Sequence, residues 1–330
     1  MKQLKVNLAI NIFGNQIFFA GLSGFLFLPL LLFPWLPPLD GRTTLLPLVV
    51  ASGLLVTSLS LYRKRIPTLL SAYPLLSSLC VLATSHLPDL YLVQMISWVL
   101  LLSAIPLALC TPAVPKERSP AIFIALTSMY LLLSLSYEAL LIPTLVLALE
   151  AWLLKEQRQL QEEKEELTDH LDSHINHQKK SKVEETKLLN CSDVGCIISF
   201  VFLIFYSFFA TGNIASLNSF DPSSIRALVA VFNPFLMGGL LLMKILLPFL
   251  VVSVAFVQLL SLRNLDISSI SGVLQLSSDC LGLVFFSKVT HTGSWLEIGT
   301  SLSHFVIVEG SVLAITLLLQ LAKALHLIVL

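Results

Sequence analysis

The sequence predicts an all-α, polytopic membrane protein with about ten or eleven transmembrane helices. The chain is 56% hydrophobic and only 12% charged, about half the charge of a soluble domain, which carries roughly 25%. Its apolar residues come in runs of roughly 17 to 22, close to the length that a helix needs to cross the hydrocarbon layer. Because period-2 alternation is missing, helices rather than barrel strands are expected to satisfy the backbone in lipid.

The apolar runs define nine candidate membrane segments in order along the chain. They lie at 17–36, 45–61, 68–85, 91–111, 120–154, 192–210, 225–262, 270–288 and 304–328. The fifth and seventh are too long for single crossings. We expect the fifth to break near Glu138 and Pro143, and the seventh to break near Lys244 or at Asn233-Pro234. Proline removes a backbone donor and crowds the preceding turn, and these breaks bring the count to ten or eleven.

A charged segment divides the chain into two helical blocks, residues 1–154 and residues 191–330. The segment itself, residues 155–190, is nearly free of apolar side chains from Lys155 to Lys187. Leu153, Leu160 and Leu167 are seven apart, but two heptads predict a coiled coil only weakly. A solvated helix followed by a loose basic stretch is the expected structure.

The orientation follows from the short basic loops "YRKRIP" and "PKERSP". Two spans separate these loops, so both are expected to be cytosolic, because lysine and arginine concentrate on that side. The charged segment then also lies in the cytosol, and the polar stretch at 211–224 lies on the opposite side. The stretch "THTGSWLEIGTSLSH" is cytosolic if 225–262 crosses twice, and shares the side of 211–224 if it crosses once.

Cysteine and histidine patterns predict no metal site. The five cysteines show no metal-ligand spacing and no disulfide framework, and three of them lie inside apolar runs, where free cysteine behaves as a small apolar residue. His170, His174 and His177 share one helix face with metal-ligand spacing, but a solvated helix face is the expected role. No glycine-rich phosphate loop and no nucleophile motif occurs, so the sequence predicts no catalytic residue. The net charge of zero also gives no indication of a nucleic-acid partner.

Ionisable residues inside the apolar runs are the first candidates for function, because a charge in the bilayer is costly. They are Glu138, Glu150, Lys244, Asp279 and Glu309. Glu150 and Lys244 are placed where they can reach an interface. Asp279 lies mid-span, and two alternatives are open for it: an ion pair with Lys244, or a polar groove for a lipid head group.

The polar stretch "TGNIASLNSFDPSS" at 211–224 is the second candidate. Asp221 stands where a helix N-cap belongs, with a proline at the first helical position, a combination that favours a helix start. Capping leaves Asn213, Ser216 and Asn218 without a structural role. Their amide and hydroxyl groups are suited to a sugar or a phosphate.

Four stretches resemble the membrane region of the glycosylphosphatidylinositol (GPI) ethanolamine phosphate transferases. The longest is "FFATGNIASLNSFDPSSIRALVAVFNPFLMGGLLLMKILLPFLVV" at 208–252, and the second is "GSWLEIGTSLSHFVIV" at 293–308. The shorter "LSYEAL" at 135–140 and the "RKRIP" start of a span are also similar. The resemblance covers the last third of the chain well, and the first half matches in pattern more than in letters.

The resemblance implies a multi-pass protein of the endoplasmic reticulum membrane that acts in GPI-anchor biosynthesis. The family moves ethanolamine phosphate from phosphatidylethanolamine to the first mannose of the GPI precursor. Its chemistry belongs to a lumenal, N-terminal domain with a threonine nucleophile and two zinc ions, which clamp the transferring phosphoryl group. This chain enters membrane spans soon after Met1, so no nucleophile and no zinc ligand is carried over. We expect this polypeptide alone to need no cofactor and to lack transferase activity.

The resemblance also implies which polar residues lie near substrate. The candidates are Asn213, Ser216, Asn218, Asp221, Asp279, Ser294, Glu297 and His304. The implied partners are membrane lipids, namely phosphatidylethanolamine and the GPI precursor, and other GPI-synthesis membrane proteins docked on residues 155–187. The alternative is a non-catalytic lipid-handling or transporter-like membrane protein, which the broken long runs fit generically.

Overall fold

Every regular element that the structure describes is helical. The computed structural model describes residues 46–62, 66–87, 91–112, 115–135, 137–172, 191–210, 233–265, 267–287 and 295–327, with five residues between 225 and 231. The α-helices in these ranges are α1 Leu46–Tyr62, α2 Thr68–His86, α3 Tyr91–Leu109, α4 Pro115–Leu132, α5 Leu141–Asp172, α6 Cys191–Ala210, α7 Pro234–Arg263, α8 Ile267–Ser287 and α9 Trp295–Leu327. A short 3-10 turn, Tyr137–Leu140, precedes α5. The all-α prediction is confirmed for this part of the chain.

Five helical segments of the described residues are long and apolar enough to cross a membrane. They are Thr68–His86, Tyr91–Leu109, Tyr137–Glu162, Pro234–Arg263 and Phe305–Leu327. Three shorter apolar helices occur at Leu46–Leu61, Arg118–Leu132 and Asp193–Ser207. The predicted run at 17–36 lies outside the described residues.

Both long apolar runs contain the kind of break that proline favours. The run at 120–154 divides between α4 and α5, and Glu138 lies in the 3-10 turn between them. The run at 225–262 breaks at Asn233-Pro234, where the Asn233 side chain accepts a hydrogen bond from the Leu236 amide and Pro234 opens α7. The alternative break at Lys244 is wrong, because α7 continues through Lys244 without interruption.

The charged segment begins as a direct extension of a membrane helix. α5 is 32 residues long and runs from the apolar Leu141 to Asp172. Glutamate, glutamine, lysine and leucine dominate this extension and are good helix formers, so the backbone ladder continues into the charged region. The helix is described as far as Asp172, and residues 173–190 lie outside the described residues.

Small residues bring α1 and α2 into close contact. Ser60 donates a hydrogen bond to the Ser71 carbonyl at 3.4 Å. A Cβ placed on Gly53 would lie 2.3 Å from Ser78 Oγ and 2.9 Å from the Pro74 carbonyl oxygen. Membrane helices pack through such small residues because apolar burial gives little driving force within lipid.

Replacing Gly53 by valine is expected to destabilise the α1–α2 pair by about 1–3 kcal/mol, the usual effect of overpacking. Part of the clash is with backbone at Pro74, which has little freedom to move away. Thermal unfolding of the purified protein in detergent measures the effect. Gly195→Val is the matched control, since a Cβ on Gly195 meets nothing within 4 Å. Equal melting temperatures for the two variants would contradict this packing.

α7 is the central helix of the described bundle. It packs against α4 and α5 from the helical block before the charged segment, and against α6 and α9 from the block after it. From Leu250 to Leu260 every α7 side chain is buried, and Phe256 stacks on Phe200 of α6 with ring centroids 4.0 Å apart. Residues on α7 are therefore positioned by helices from both parts of the chain.

The bundle has two distinguishable ends. The first, the charged end, contains an ionic cluster in which Arg263 contacts both Glu156 and Asp193. The second, the turn end, holds the Tyr137–Leu140 turn, where Ala139 packs with residues of α1, α2, α4 and the stretch before α7. These neighbours are Val49, Val81, Leu131 and Ala227.

The order of the helices brings the helix ends that flank both polar signature stretches to the turn end. α6 begins with Asp193 at the charged end, and α7 returns from the turn end to Arg263. α9 ends at the charged end, where His326 hydrogen-bonds Ser119 at 2.9 Å. The end of α6, the start of α7, the end of α8 and the start of α9 therefore lie at the turn end. Because α7 is one uninterrupted helix from Pro234 to Arg263, a membrane crossing by α7 would be a single one, the case in which "THTGSWLEIGTSLSH" is predicted to share a side with residues 211–224.

Candidate functional site

A buried ion pair lies near the turn end of the bundle. Lys244 Nζ is 2.6 Å from Glu138 Oε2, and the two side chains are 8% and 12% exposed. Lys244 comes from the middle of α7, and Glu138 comes from the turn before α5. Both charges lie within segments apolar enough to span a membrane, where an ionisable residue is by default a candidate for function.

The local sequence explains how Glu138 enters this site. α4 closes with turn hydrogen bonds from the Leu133 and Ser134 amides to the Tyr130 and Leu131 carbonyls. The 3-10 turn then redirects the chain, and Pro143 falls in the first turn of α5, where its missing N–H leaves no hydrogen bond unmade. The turn thereby places a carboxylate against the flank of α7.

Tyr130 adds a second buried polar group to the turn end of α4. The residue is 0% exposed, and its hydroxyl has no hydrogen-bond partner within the described ranges. Buried hydroxyls nearly always find a partner in the protein or in ordered water. The turn end thus combines a cation, a carboxylate and a buried hydroxyl, which suits the polar part of an amphipathic ligand.

A second ionic cluster lies about one bilayer thickness away. Lys244 and Arg263 are 19 residues apart on α7, about 28 Å along the helix. Their partners Glu138 and Glu156 are 18 residues apart on the neighbouring segment, also about 28 Å when the 3-10 turn is included. The hydrocarbon core of a membrane is roughly 30 Å thick, so the two clusters have the spacing of its two faces.

The predicted pairing of Asp279 with Lys244 is wrong. Lys244 pairs with Glu138, whereas Asp279 is exposed on α8 and accepts a hydrogen bond from Gln275 at 3.2 Å. The candidate Glu309 on α9 lies close to Gly282 on α8. A Cβ added at Gly282 would lie 2.9 Å from Glu309 Oε1. Glu150 lines a cleft between α1, α4 and α5.

Most of the other predicted site residues fall where the structure is not described. Glu297 and His304 lie on α9, but their side chains are outside the description, as is that of His170 on α5. The remaining predicted positions outside the described residues are Asn213, Ser216, Asn218, Asp221, Ser294, His174 and His177. Their roles stay predictions.

No group of three histidine, cysteine, aspartate or glutamate side chains within the described ranges is placed to hold a metal ion. We therefore assign no zinc ligand to these residues.

Sequence reasoning singled out Glu138 and Lys244 separately but missed their pairing. It also missed Tyr130 and the cluster of Arg263, Glu156 and Asp193. The one signal for the cluster is that all three residues stand at the ends of apolar runs: Arg263 and Glu156 follow such runs, and Asp193 precedes one.

Comparisons with known proteins agree with the resemblance. The phosphatidylinositolglycan class N (PIG-N) family profile matches residues 9–294. The chain is 35% identical to GPI ethanolamine phosphate transferase 1 of Homo sapiens, over 91% of this chain and 34% of the relative. The mouse protein of that name is 34% identical with the same coverage, and that of Schizosaccharomyces pombe is 32% identical over 61% of this chain and 21% of the relative. The chain spans about a third of the length of its human and mouse relatives. No solved structure matches it significantly. This chain belongs to the phosphatidylinositolglycan class N family.

Proposed function

We propose that this chain is the membrane region of a GPI ethanolamine phosphate transferase, and that it holds lipid-linked substrates at the turn end of its bundle. The observation that carries the proposal is the buried Lys244–Glu138 pair. Each of its residues lies in a stretch that resembles the family. The helix ends that flank the polar signature connectors lie at the same end of the bundle, which supports the proposal. The substrates are phosphatidylethanolamine and the GPI precursor, and the products stay in the membrane.

The proposed membrane orientation places the turn end in the lumen of the endoplasmic reticulum. Basic residues follow α1, open α4 and occupy the extension of α5, and all three positions belong to the charged end. Lysine and arginine near membrane helices favour the cytosol. The count of ten or eleven membrane helices, the docking of other GPI-synthesis proteins on residues 155–187 and the absence of a cofactor belong to the same proposal.

A chimera tests the function in cells that lack GPI ethanolamine phosphate transferase 1. This chain replaces the matching third of the human relative, and GPI-anchored proteins at the cell surface are counted by flow cytometry. We expect the chimera to restore most of the surface signal. A matched chimera in which an unrelated multi-pass segment replaces the same region is the control. A chimera that is produced at normal level yet restores nothing would contradict the proposal.

Within this chimera, changing Asn213, Asn218 or Glu297 to alanine is expected to lower transfer roughly tenfold or more without lowering the protein level. A lost hydrogen bond to a charged group weakens binding by about 1.5–3 kcal/mol, or roughly tenfold to a hundredfold. Ser311→Ala is the control, because the Ser311 hydroxyl is exposed and bonds only its own helix at the Val308 carbonyl. Unchanged activity in all three variants would remove these residues from the substrate site.

A further inference from the structure

Helices α8 and α9 pack along each other at the edge of the described bundle. The apolar segment Phe305–Leu327 of α9 is 11% buried, whereas Pro234–Arg263 of α7 is 72% buried. Large apolar side chains are exposed on both helices, among them Leu283 on α8 and Val306 on α9. Lipid tails are as apolar as these side chains and can cover them, so their exposure alone requires no protein partner.

Two carboxylates on this pair of helices cannot be covered in the same way. Asp279 is exposed on α8, twelve residues after Ile267 at the start of the helix and eight before Ser287 at its end, about 18 Å and 12 Å along the axis. Glu309 on α9 lies within the apolar segment Phe305–Leu327. A charged side chain at such a depth in lipid is costly and is ordinarily paired.

The two carboxylates lie at neighbouring levels of the helix pair. A Cβ added at Gly282 would lie 2.9 Å from Glu309 Oε1, and Asp279 is three residues before Gly282, about 4.5 Å along α8. Asp279 accepts a hydrogen bond from Gln275 at 3.2 Å, but an amide brings no positive charge. Neither carboxylate has a basic partner among the residues that the structure describes. Asp279 and Glu309, with the exposed apolar side chains around them, thus form an acidic face on α8 and α9.

The charges of the chain itself argue against a second copy as the occupant of the acidic face. Two copies related by a rotation about the membrane normal would bring the same carboxylates together, and like charges repel. Lys323 on α9 is 14 residues from Glu309, about 21 Å towards the charged end, and does not reach this level. Lys244 and Arg263 already pair with other carboxylates.

We propose that the acidic face binds a transmembrane helix of another protein, one that carries a lysine or an arginine inside its apolar span. The cation of this helix pairs with Asp279 and Glu309, and its apolar side chains pack on those around the two carboxylates. Basic residues are rare inside membrane helices, so the charge distinguishes this partner from most other helices of the membrane. The interaction is separate from the proposed substrate site, because it uses neither the Lys244–Glu138 pair nor residues 155–187.

Association with a model helix tests the proposal. The full-length chain carries a donor fluorophore and is reconstituted in phosphatidylcholine vesicles with an acceptor-labelled, leucine-rich transmembrane peptide. The peptide carries one lysine about six residues inside its apolar run, which matches the depth of the two carboxylates. A second peptide has leucine in place of that lysine. From energy transfer, we expect the lysine peptide to associate about tenfold more strongly than the leucine peptide. Equal association of the two peptides would overturn the proposal.

Neutral amides identify the carboxylates as the source of this preference. Asp279→Asn combined with Glu309→Gln keeps the shape of both side chains and is expected to remove the preference for the lysine peptide. Glu162→Gln, on the extension of α5, is the control for the loss of a distant carboxylate and should keep the preference. A preference that survives in the double variant overturns the proposal. Association between two copies of the protein that the double variant abolishes also overturns it, because the occupant would then be a second copy.

Discussion

Replacing Arg263 by methionine is expected to destabilise the protein by about 3–5 kcal/mol, the effect of breaking a buried ionic cluster from one side. The change leaves Glu156 and Asp193 without their shared cation, and each is less than a tenth exposed. The cluster joins α5, α6 and α7, so its loss loosens three helices at once. Thermal unfolding in detergent should show a melting temperature lower by on the order of 10 °C.

Neutral replacements of the two carboxylates distinguish a loss of charge pairing from a loss of packing. Combining Arg263→Met with Glu156→Gln and Asp193→Asn removes both stranded charges and is expected to recover most of the stability, because apolar or neutral replacements of buried ion clusters are often tolerated. Lys323→Met on α9 is the single-cation control. The cluster does not stabilise the bundle electrostatically if Arg263→Met has the melting temperature of the wild type, or if the triple variant is no more stable than Arg263→Met alone.

Replacing Lys244 by methionine is expected to have a comparable effect at the other end. It leaves the Glu138 carboxylate without its cation in a segment apolar enough to span a membrane, again at a cost of about 3–5 kcal/mol. Exchanging the two residues, Lys244→Glu with Glu138→Lys, keeps one charge of each sign and should restore part of the stability. An exchanged variant that melts below the single variant would show that the sign of each charge at its own position matters more than the pair.

The same pair also tests the proposed site. In the chimera with the human relative, Lys244→Met combined with Glu138→Leu removes both charges and leaves no stranded ion. We expect this variant to reach the membrane at normal level and to restore at least tenfold less surface GPI-anchored protein. Normal restoration would make the pair a structural feature only and would remove it from substrate binding.

The sequence predicted where helices begin and end better than which residues meet. Asn233-Pro234 and the turn at Glu138 follow from local chemistry, because capping and proline geometry act within a few residues. The partner of Lys244 depends on which helices pack together, and periodicity within an apolar run carries no such information. On sequence grounds Asp279 was the candidate partner of Lys244, and only the packing of α7 against α5 selects Glu138.

The extension of α5 also shows a limit of prediction from sequence patterns. A change from apolar to charged residues at Lys155 looks like a boundary, yet the helix continues to Asp172. Both halves favour helix for different reasons: the first fits a lipid environment and the second consists of strong helix formers in water. The ionic cluster at Glu156 forms at this transition and marks the charged end of the bundle.

Accessibility of single cysteines tests the central claim, that both polar signature connectors reach the lumen at the turn end while the charged end faces the cytosol. In a background in which the five native cysteines are replaced, Asn218→Cys, Thr292→Cys and Lys64→Cys are each treated with a membrane-impermeant maleimide on sealed microsomes. The account predicts that Lys64→Cys reacts at once, and that the other two react only after the membrane is permeabilised. Labelling of Asn218→Cys or Thr292→Cys in sealed microsomes, on the same side as Lys64→Cys, would contradict it.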